Sequence, residues 1–248
     1  MADAFIRDTF TKDASCYDAY TKKSYSIVKE RRAWQKLYAE CLTGEGRRVL
    51  NVGCGPGTEA MALADAGYDV TALDFSPKMI ELTQRNAAEN GLTIKTVIGD
   101  AEDLPFDDGS FDFVVSNYAM WAIPHPETAL KEMHRVLRDG GILSFIDCGK
   151  THRKPNFIRR AWRHLAFRMR EKDDNGHTGV ELTDEERDHL DALWSVSAVR
   201  PERDLENTRM AGFEEVSVID HVDRRIFKGR RYIEYGYHEI HFMILARK

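Results

Sequence analysis

The sequence predicts a doubly wound α/β fold, in which helices cover both faces of a mostly parallel sheet. Between Arg48 and Asp147, short apolar runs alternate with segments of helical periodicity. The runs are almost continuously apolar, which is typical of parallel strands buried on both faces. Five runs of this kind occur: RVLNV, YDVTALD, TIKTVIG, FDFVVS and GILSFID.

Residues before the first strand predict a helix from about Tyr17 to Leu42. Apolar residues recur there at i, i+3, i+4 and i+7, namely Trp34, Leu37, Tyr38 and Cys41. Inside the α/β region, Ser76 can cap a helix that has Pro77 at its first position. Gly91 and Gly140 stand where helices are expected to stop.

The alternation breaks after the fifth run. Residues 150–210 contain no clear strand, and two further strands are predicted in FEEVSVIDHV and YHEIHFMILARK. We therefore expect a single domain with two helical additions that lie over the ligand-binding edge of the sheet. Its parts are an N-terminal helical lid (1–45), a cofactor-binding core (46–149), a helical insertion that caps the substrate (150–211) and the last two strands (212–248).

Composition describes an ordinary globular protein: 248 residues, 42% of them hydrophobic and 31% charged. A formal net charge of -5 argues against a dedicated nucleic-acid binder. No apolar stretch approaches the roughly 20 residues that span a bilayer, and the N-terminus lacks the apolar core of a signal peptide. The four cysteines are widely spaced, so we expect free thiols in the cytoplasm and no metal site.

The glycine-rich loop after the first strand, GCGPGTEA, is of a kind that binds nucleotides. It lacks the Lys and Ser or Thr that a P-loop needs for phosphates and Mg²⁺. Its glycines, Gly53, Gly55 and Gly57, are spaced one residue more closely than in a dinucleotide loop. Pro56 has no N–H for an anion, and Glu59 would repel one. The loop is therefore predicted to avoid phosphate.

Carboxylates follow the second and third strands. Asp74 comes about 20 residues after the loop, where an acidic side chain typically binds the hydroxyls of a ribose. Asp100 and Glu102 fall at the carboxyl end of the third strand, and open α/β sheets bind ligands at that edge. An Asp there suits the exocyclic amine of an adenine, so we expect a nucleoside ligand.

These motifs, in this order, resemble those of class I S-adenosylmethionine-dependent methyltransferases. The branch with the greatest similarity includes the ubiquinone- and menaquinone-biosynthesis enzymes, whose members mostly modify small molecules. The resemblance is carried by VLNVGCGPG, VTALDFSPKMIELTQRNA, GDAEDLPFDDGSFDFVVSN and EMHRVLRDGGILSFID, and by the last two strands. It implies a Rossmann-like sheet of seven strands with the last one antiparallel, and S-adenosylmethionine as cofactor, with S-adenosylhomocysteine as the product.

The resemblance also implies which residues would bind this cofactor. The glycines would let the backbone approach its methionine portion, Asp74 would bind the ribose, and the backbone carbonyl of Asn117 would meet the amino group. The full implied set is Asn51, Gly53, Cys54, Gly55, Gly57, Asp74, Phe75, Met79, Asp100, Ala101, Glu102 and Asn117. Asn51 departs from the family pattern, which has Asp or Glu there to help satisfy the cofactor's ammonium. Asn can accept hydrogen bonds but brings no charge.

The acceptor site is specified less well than the cofactor site. SNYAMWAIPHPE follows the fourth strand and lacks the two prolines found where adenine-N6 or glutamine is methylated. No catalytic residue is assigned; the pocket candidates are Tyr17, Tyr118, Trp121, His125 and Asp147. Packing is an equal alternative for Trp121, and a surface turn is the favoured alternative for His125. His238 and His241 fall on opposite faces of a strand, and we expect both to be structural.

Residues 153–172 form a strongly basic segment with interleaved aromatic side chains. A solvated face is the common explanation for such a run, and an anionic small substrate is a second one. Two alternatives to a small-molecule methyltransferase remain. The first is an RNA or tRNA methyltransferase that uses this basic segment, although the net charge makes nucleic acid the weaker choice. The second is a non-catalytic cofactor-binding protein that regulates a partner. The oligomeric state is not predicted.

Overall fold

The computed structural model describes residues 4–149, 157–173, 183–235 and 240–248, and a seven-stranded sheet lies at its centre. In chain order the strands are β1 (Arg48–Val52), β2 (Asp69–Asp74), β3 (Lys95–Ile98), β4 (Phe111–Asn117), β5 (Leu137–Gly149), β6 (Glu214–Asp220) and β7 (Ile240–Arg247). Their order across the sheet is β3-β2-β1-β4-β5-β7-β6. Strands β1 to β5 run parallel, and β7 is antiparallel to both of its neighbours. The predicted fold class is confirmed.

Helices occupy both faces of the sheet. They are α1 (Ala4–Ser26), α2 (Val28–Cys41), α3 (Thr58–Asp65), α4 (Pro77–Glu89), α5 (Pro126–Val136), α6 (Phe157–Asp173), α7 (Asp184–Asp191), α8 (Trp194–Ser197), α9 (Glu202–Met210), α10 (Asp223–Ile226) and α11 (Arg230–Tyr235). One core packs α2 and α3 against the sheet, with Tyr38 at its centre. The other packs α5 and α9 against the opposite face, around Met133 and Phe145. Two cores on two faces are what a doubly wound sheet requires.

The helix signals of the sequence have mixed outcomes. Ser76 caps α4 as predicted, because its Oγ accepts a hydrogen bond from the Met79 N–H (3.4 Å) and Pro77 opens the helix. Gly91 follows the end of α4 with φ +67°, also as predicted. Gly140 does not end a helix. Helix α5 stops at Val136, and β5 begins at once because Leu137 pairs with Phe111 of β4.

The helix predicted from Tyr17 to Leu42 is wrong in its extent, since two helices occupy this region. Helix α1 begins thirteen residues earlier, at Ala4, and ends at Ser26. Ile27 is extended (φ -83°, ψ 96°) and starts α2 in a new direction. The hydroxyl of Ser26 turns back to the Lys23 carbonyl (2.7 Å), which competes with helical hydrogen bonds at this end.

The described parts of the segment between β5 and β6 contain the helices α6 to α9 and no strand. Trp162 of α6 donates from its indole N–H to the carbonyl of Ile233 in α11 (2.8 Å). Further along, Trp194 donates to the Ile123 carbonyl (2.9 Å) and Ser195 to the Trp121 carbonyl (2.8 Å), so α8 packs on the loop after β4. Of the basic segment 153–172, residues 153–156 lie outside the described residues. His238 lies outside them as well.

Candidate functional site

A cavity of about 640 Å³ lies at the edge of the sheet where the parallel strands end. Strands β1 and β4 are neighbours at the centre of the sheet, and the chain leaves them toward opposite sides. This is the topological switch point at which open α/β sheets bind ligands. Strand β7 runs antiparallel, so its first residues meet the last residues of β5 at the same edge.

The glycine-rich loop forms the floor of the cavity. Gly53 has φ +66°, and a Cβ there would come within 2.5 Å of the Cβ of Ala119, so a side chain at this position would collide with the loop after β4. A Cβ on Gly55 would meet no protein atom within 4 Å, which leaves open space beside the backbone for a ligand. Thr83 of α4 fixes the loop by donating its hydroxyl to the Gly55 carbonyl (2.7 Å).

Asp74 ends β2 and joins the loop to the next helix. Its carboxylate accepts hydrogen bonds from the N–H groups of Gly55 (2.9 Å) and Ser76 (2.9 Å). The residue is buried to 5% exposure yet lines the cavity. Burial raises the pKa of Asp74 to about 6, and the backbone hydrogen bonds oppose that rise. At neutral pH the carboxylate is mostly ionised and can accept hydrogen bonds from hydroxyl groups.

Most of the implied cofactor-binding residues lie around this one cavity. Those that line it are Gly53, Cys54, Gly55, Asp74, Phe75, Met79, Asp100, Ala101 and Asn117. Three members of the set lie behind the wall, namely Asn51, Gly57 and Glu102. Glu102 accepts a hydrogen bond from the His125 N–H (3.0 Å), and so ties the loop after β3 to the start of α5.

Asn51 does not line the cavity. Its side chain is 1% exposed and donates from Nδ2 to the Val115 carbonyl of the adjacent strand (3.2 Å). Its Oδ1 is buried without a hydrogen-bond partner. Asn51 therefore contributes to the contact between β1 and β4, and neither charge nor a cavity-lining surface comes from this position.

Glu59 and Asn117 lie together on the cavity wall. Glu59 stands in the first turn of α3, and Asn117 is the last residue of β4. Asn117 donates from Nδ2 to the Tyr38 hydroxyl (2.6 Å) and also hydrogen bonds to Glu59. The Asn117 Oδ1 is buried and unpartnered. Burial raises the pKa of Glu59 to about 7, and the hydrogen bonds from its own backbone and from Asn117 oppose this.

Of the five pocket candidates, Tyr17 and Tyr118 line the cavity, whereas Trp121, His125 and Asp147 do not. Trp121 packs under α8, and its indole N–H donates to the Tyr118 carbonyl (2.9 Å). His125 is exposed at the start of α5.

Asp147 is only 2% exposed and is fully engaged inside the protein. Its Oδ2 accepts hydrogen bonds from the Trp121 N–H (2.9 Å) and from Arg200 (3.0 Å). Arg200 in turn forms a hydrogen-bonded ion pair with Asp204 of α9 (2.6 Å). Burial raises the pKa of Asp147 and Arg200 lowers it. The triad fastens the insertion to the end of β5, which gives Asp147 a structural position in the fold.

His241 was expected to be structural, but the structure places it in the cavity wall with Tyr118 and Cys148. The Tyr118 hydroxyl lies 3.0 Å from His241 Nδ1, and the Cys148 Sγ lies 3.5 Å from the same atom. Burial raises the pKa of both Tyr118 and Cys148, so the phenol and the thiol stay protonated at neutral pH. Strand alternation alone could not reveal this group, because it depends on β7 pairing with β5.

Helix α1 closes the cavity from above. Its side chains Ile6, Phe10 and Tyr20 line the space, and the Phe10 ring contacts the ring of Phe75. Polar contacts hold α1 against α4. Asp18 pairs with Arg85 (2.6 Å) and accepts a hydrogen bond from Asn86 (2.9 Å).

The charge of the cavity wall is negative. Glu59, Asp74 and Asp100 line it, and no lysine or arginine occurs among its described lining residues. Within the described ranges, no cluster of three or more His, Cys, Asp and Glu side chains could hold a metal ion. No described helix is both long enough and apolar enough to cross a membrane. The cavity thus favours a ligand with hydroxyl, amine or cationic groups over one with phosphates.

Comparison with known proteins gives a consistent picture. A family model described as a methyltransferase domain matches residues 50–145. The chain is 34% identical to the demethylmenaquinone methyltransferase of Geobacillus kaustophilus, over 66% of this chain and 70% of that one. It is 40% identical to that of Renibacterium salmoninarum over 54% of each chain, so the match spans about half the length of that relative.

Two solved structures share the fold. A SAM-dependent methyltransferase from Aquifex aeolicus is 18% identical with a TM-score of 0.59, and the match covers 93% of this chain and 97% of that one. The [4+2]-cyclase SpnF is 23% identical with a TM-score of 0.56, over 88% of this chain and 81% of that one. Proteins named for different reactions therefore have this architecture, and the function must be argued from the site.

Proposed function

The chain belongs to the S-adenosylmethionine-dependent methyltransferase family, and from this premise we propose that it transfers a methyl group from S-adenosylmethionine to a small-molecule acceptor. The observation that carries the proposal is the cavity itself. It lies at the switch point of the sheet, and its charged lining side chains are carboxylates. A sulfonium cofactor with a ribose, an adenine amine and an ammonium group fits that lining better than a phosphate-bearing nucleotide does.

The residues present fit this cofactor. Gly55 leaves open space beside the backbone, Asp74 can accept from ribose hydroxyls, and Asp100 can accept from an adenine amine. Asn117 keeps an unpartnered oxygen next to the cavity. When bound, the cofactor supplies an electrophilic methyl group and a neutral thioether as leaving group. The chain would supply alignment and an enclosed site.

The acceptor would lie at the β5 and β7 end of the cavity. Tyr118, Cys148 and His241 line that end, whereas Asp74 and Asp100 come from the β2 and β3 side. In this arrangement Tyr118 and His241 would position the acceptor, and the imidazole of His241 would take up a proton that it releases. Relatives are named demethylmenaquinone methyltransferases, so a demethylmenaquinone is the acceptor to test first. A methyl group would then move in line from the cofactor's sulfur to the acceptor.

An anionic acceptor, which the basic segment suggested, finds no support in the described lining of the cavity. The RNA alternative rests on exposed arginines of α6, such as Arg160, Arg163 and Arg168. The regulatory alternative rests on the fold alone, which also occurs in a protein named as a cyclase. A cytoplasmic location is part of the proposal, and the four free cysteines are consistent with it.

Binding and transfer assays separate these functions. Isothermal titration should show that S-adenosylhomocysteine binds. A donor with a tritiated methyl group, offered with demethylmenaquinone and with an RNA pool, should label the lipid-extractable fraction. Label in RNA instead would favour the first alternative, and binding without transfer to any pool would favour the second. Failure of S-adenosylhomocysteine to bind would overturn all three functions.

A further inference from the structure

Glu59 is not among the cofactor-binding residues that the resemblance implies, yet it lines the cavity. It stands in the first turn of α3, directly after the glycine-rich loop, and lines the cavity. Within the described part of the chain, no lysine or arginine forms an ion pair with it. A partly buried carboxylate that faces a cavity without a cation is costly to ionise, because desolvation is not repaid by a partner.

Asn117 adds a second acceptor at the same place. Its Nδ2 donates to the Tyr38 hydroxyl, whereas its Oδ1 is buried and unpartnered. Buried amide oxygens are rarely left without a donor, and such an atom beside a cavity points to a ligand group that donates. One charged acceptor and one neutral acceptor side by side suit a group with several N–H donors and a positive charge.

Asn51 cannot supply that charge. It stands where the family pattern has an acid, but its side chain is tied to the Val115 carbonyl and does not reach the cavity wall. The negative charge nearest in the sequence that does reach the wall is that of Glu59, eight residues later.

We propose that Glu59, together with Asn117, forms the subsite for the α-ammonium group of the cofactor, and that Glu59 supplies the charge missing from Asn51. The inference rests on the proposed function, since it concerns how this chain holds S-adenosylmethionine and its demethylated product. The ammonium would donate to the Glu59 carboxylate and to the Asn117 Oδ1, which satisfies the buried oxygen and neutralises the carboxylate. Charge-assisted hydrogen bonds of this kind are among the stronger ones in proteins.

Proton linkage follows from the surroundings of Glu59. The titratable groups that face it are Tyr20 of α1, Tyr38 of α2, Cys54 of the loop and Tyr118 after β4. Burial raises the pKa of each, so all four are neutral at physiological pH. Asp74 shares the cavity with a pKa of about 6, and that of Glu59 is about 7. A bound ammonium lowers the pKa of Glu59, so binding releases a proton and strengthens as pH rises through 7.

Calorimetric titration of the full chain with S-adenosylhomocysteine tests this inference. The wild type should bind about tenfold more tightly at pH 8 than at pH 6, since only the ionised carboxylate attracts the ammonium. Glu59→Gln should weaken binding at pH 8 by about 10- to 100-fold. It should also abolish the change of affinity with pH near pH 7. Glu127→Gln is the matched control, because Glu127 lies in the first turn of α5 but is exposed outside the cavity.

A second ligand separates loss of the ammonium contact from general damage. Methylthioadenosine keeps the nucleoside but lacks the ammonium, so Glu59→Gln should leave its affinity unchanged. An equal loss for both ligands would contradict the assignment. So would unchanged S-adenosylhomocysteine affinity in Glu59→Gln, or a tenfold gain in Asn51→Asp. If the wild type binds no S-adenosylhomocysteine at all, the proposed function fails as well.

Discussion

The Tyr118 hydroxyl lies 3.0 Å from Nδ1 of His241, although 123 residues separate them in the chain. Tyr118 has a positive φ of 53°, a conformation that is strained for a residue with a side chain and that recurs at functional sites. The pair joins the loop after β4 to the first residues of β7. It gives the β5 and β7 end of the cavity, where we propose that the acceptor lies, a hydroxyl and an imidazole in direct contact.

We expect His241→Gln to lower kcat for methyl transfer by about 10²-fold, because a positioned proton acceptor contributes at least that much. The affinity for S-adenosylhomocysteine should change less than twofold, since His241 lies at the acceptor end. Steady-state kinetics with demethylmenaquinone and calorimetry measure the two quantities. Tyr118→Phe should reproduce the kcat loss in part. Full activity of both variants would show that His241 takes up no proton in the rate-limiting step.

Asp74→Asn should weaken binding of S-adenosylhomocysteine by at least about tenfold. The amide is neutral, and its nitrogen donates hydrogen bonds where the second carboxylate oxygen of Asp74 accepts them. It also disturbs the loop that Asp74 holds through the Gly55 N–H. Calorimetric titration measures the loss. Asp69→Asn at the opposite end of β2 is the control, since Asp69 is exposed, lies outside the cavity and pairs with Lys95. Equal affinity of Asp74→Asn and wild type would contradict the ribose assignment.

Arg200→Ala should lower the free energy of unfolding by about 3–5 kcal/mol, because it leaves two buried carboxylates without their cation. Asp147 and Asp204 are each 2% exposed, so water cannot compensate. Urea denaturation followed by circular dichroism measures the change. Arg203→Ala should stay within about 0.5 kcal/mol, because its pair with Glu206 is exposed. Similar values for the two variants would mean that the buried triad adds no stability.

The free energy of unfolding should depend on pH through Glu59. Its pKa rises from 4.5 to about 7 on folding, so the folded state binds the proton more tightly. Stability from this group is therefore full below pH 4.5 and declines as pH rises to 7, by up to about 3 kcal/mol. Without ligand, the free energy of unfolding of Glu59→Gln should rise relative to that of the wild type by about 3 kcal/mol between pH 4 and pH 8. Parallel urea curves at all pH values would argue against a buried carboxylate.

The elements that the sequence predicts correctly are those determined by interactions between residues close together in the chain. Ser76 and Pro77 begin α4 because capping and a fixed φ act within one turn. The apolar runs of β1, β2, β4 and β5 form strands because both faces of a parallel sheet are buried, whereas β3 at the edge of the sheet is only partly buried. Leu137 shows where this reasoning stops: its segment continues a helical pattern, but pairing with Phe111 of the adjacent strand draws it into β5.

The residues proposed for the cofactor can also be predicted from the sequence, because Gly53, Gly55 and Asp74 come from two successive strand ends. The residues proposed for the acceptor cannot, because they are far apart in the chain. His241 meets Tyr118 only because β7 inserts between β5 and β6, and Arg200 reaches Asp147 only because the insertion folds back. No periodicity in either segment carries that information, so an interpretation from sequence makes His241 structural and Asp147 a pocket candidate.

Helix α1 has a consequence for turnover. Because Ile6, Phe10 and Tyr20 wall the cavity, a spent cofactor can leave by that side only after α1 parts from α4. Departure by this route would break the pairs of Asp18 with Arg85 and Asn86, which would then reform before the next cycle. If the ligand uses this route, the rate of opening would limit the number of substrate molecules converted per second, whatever the speed of the chemical step.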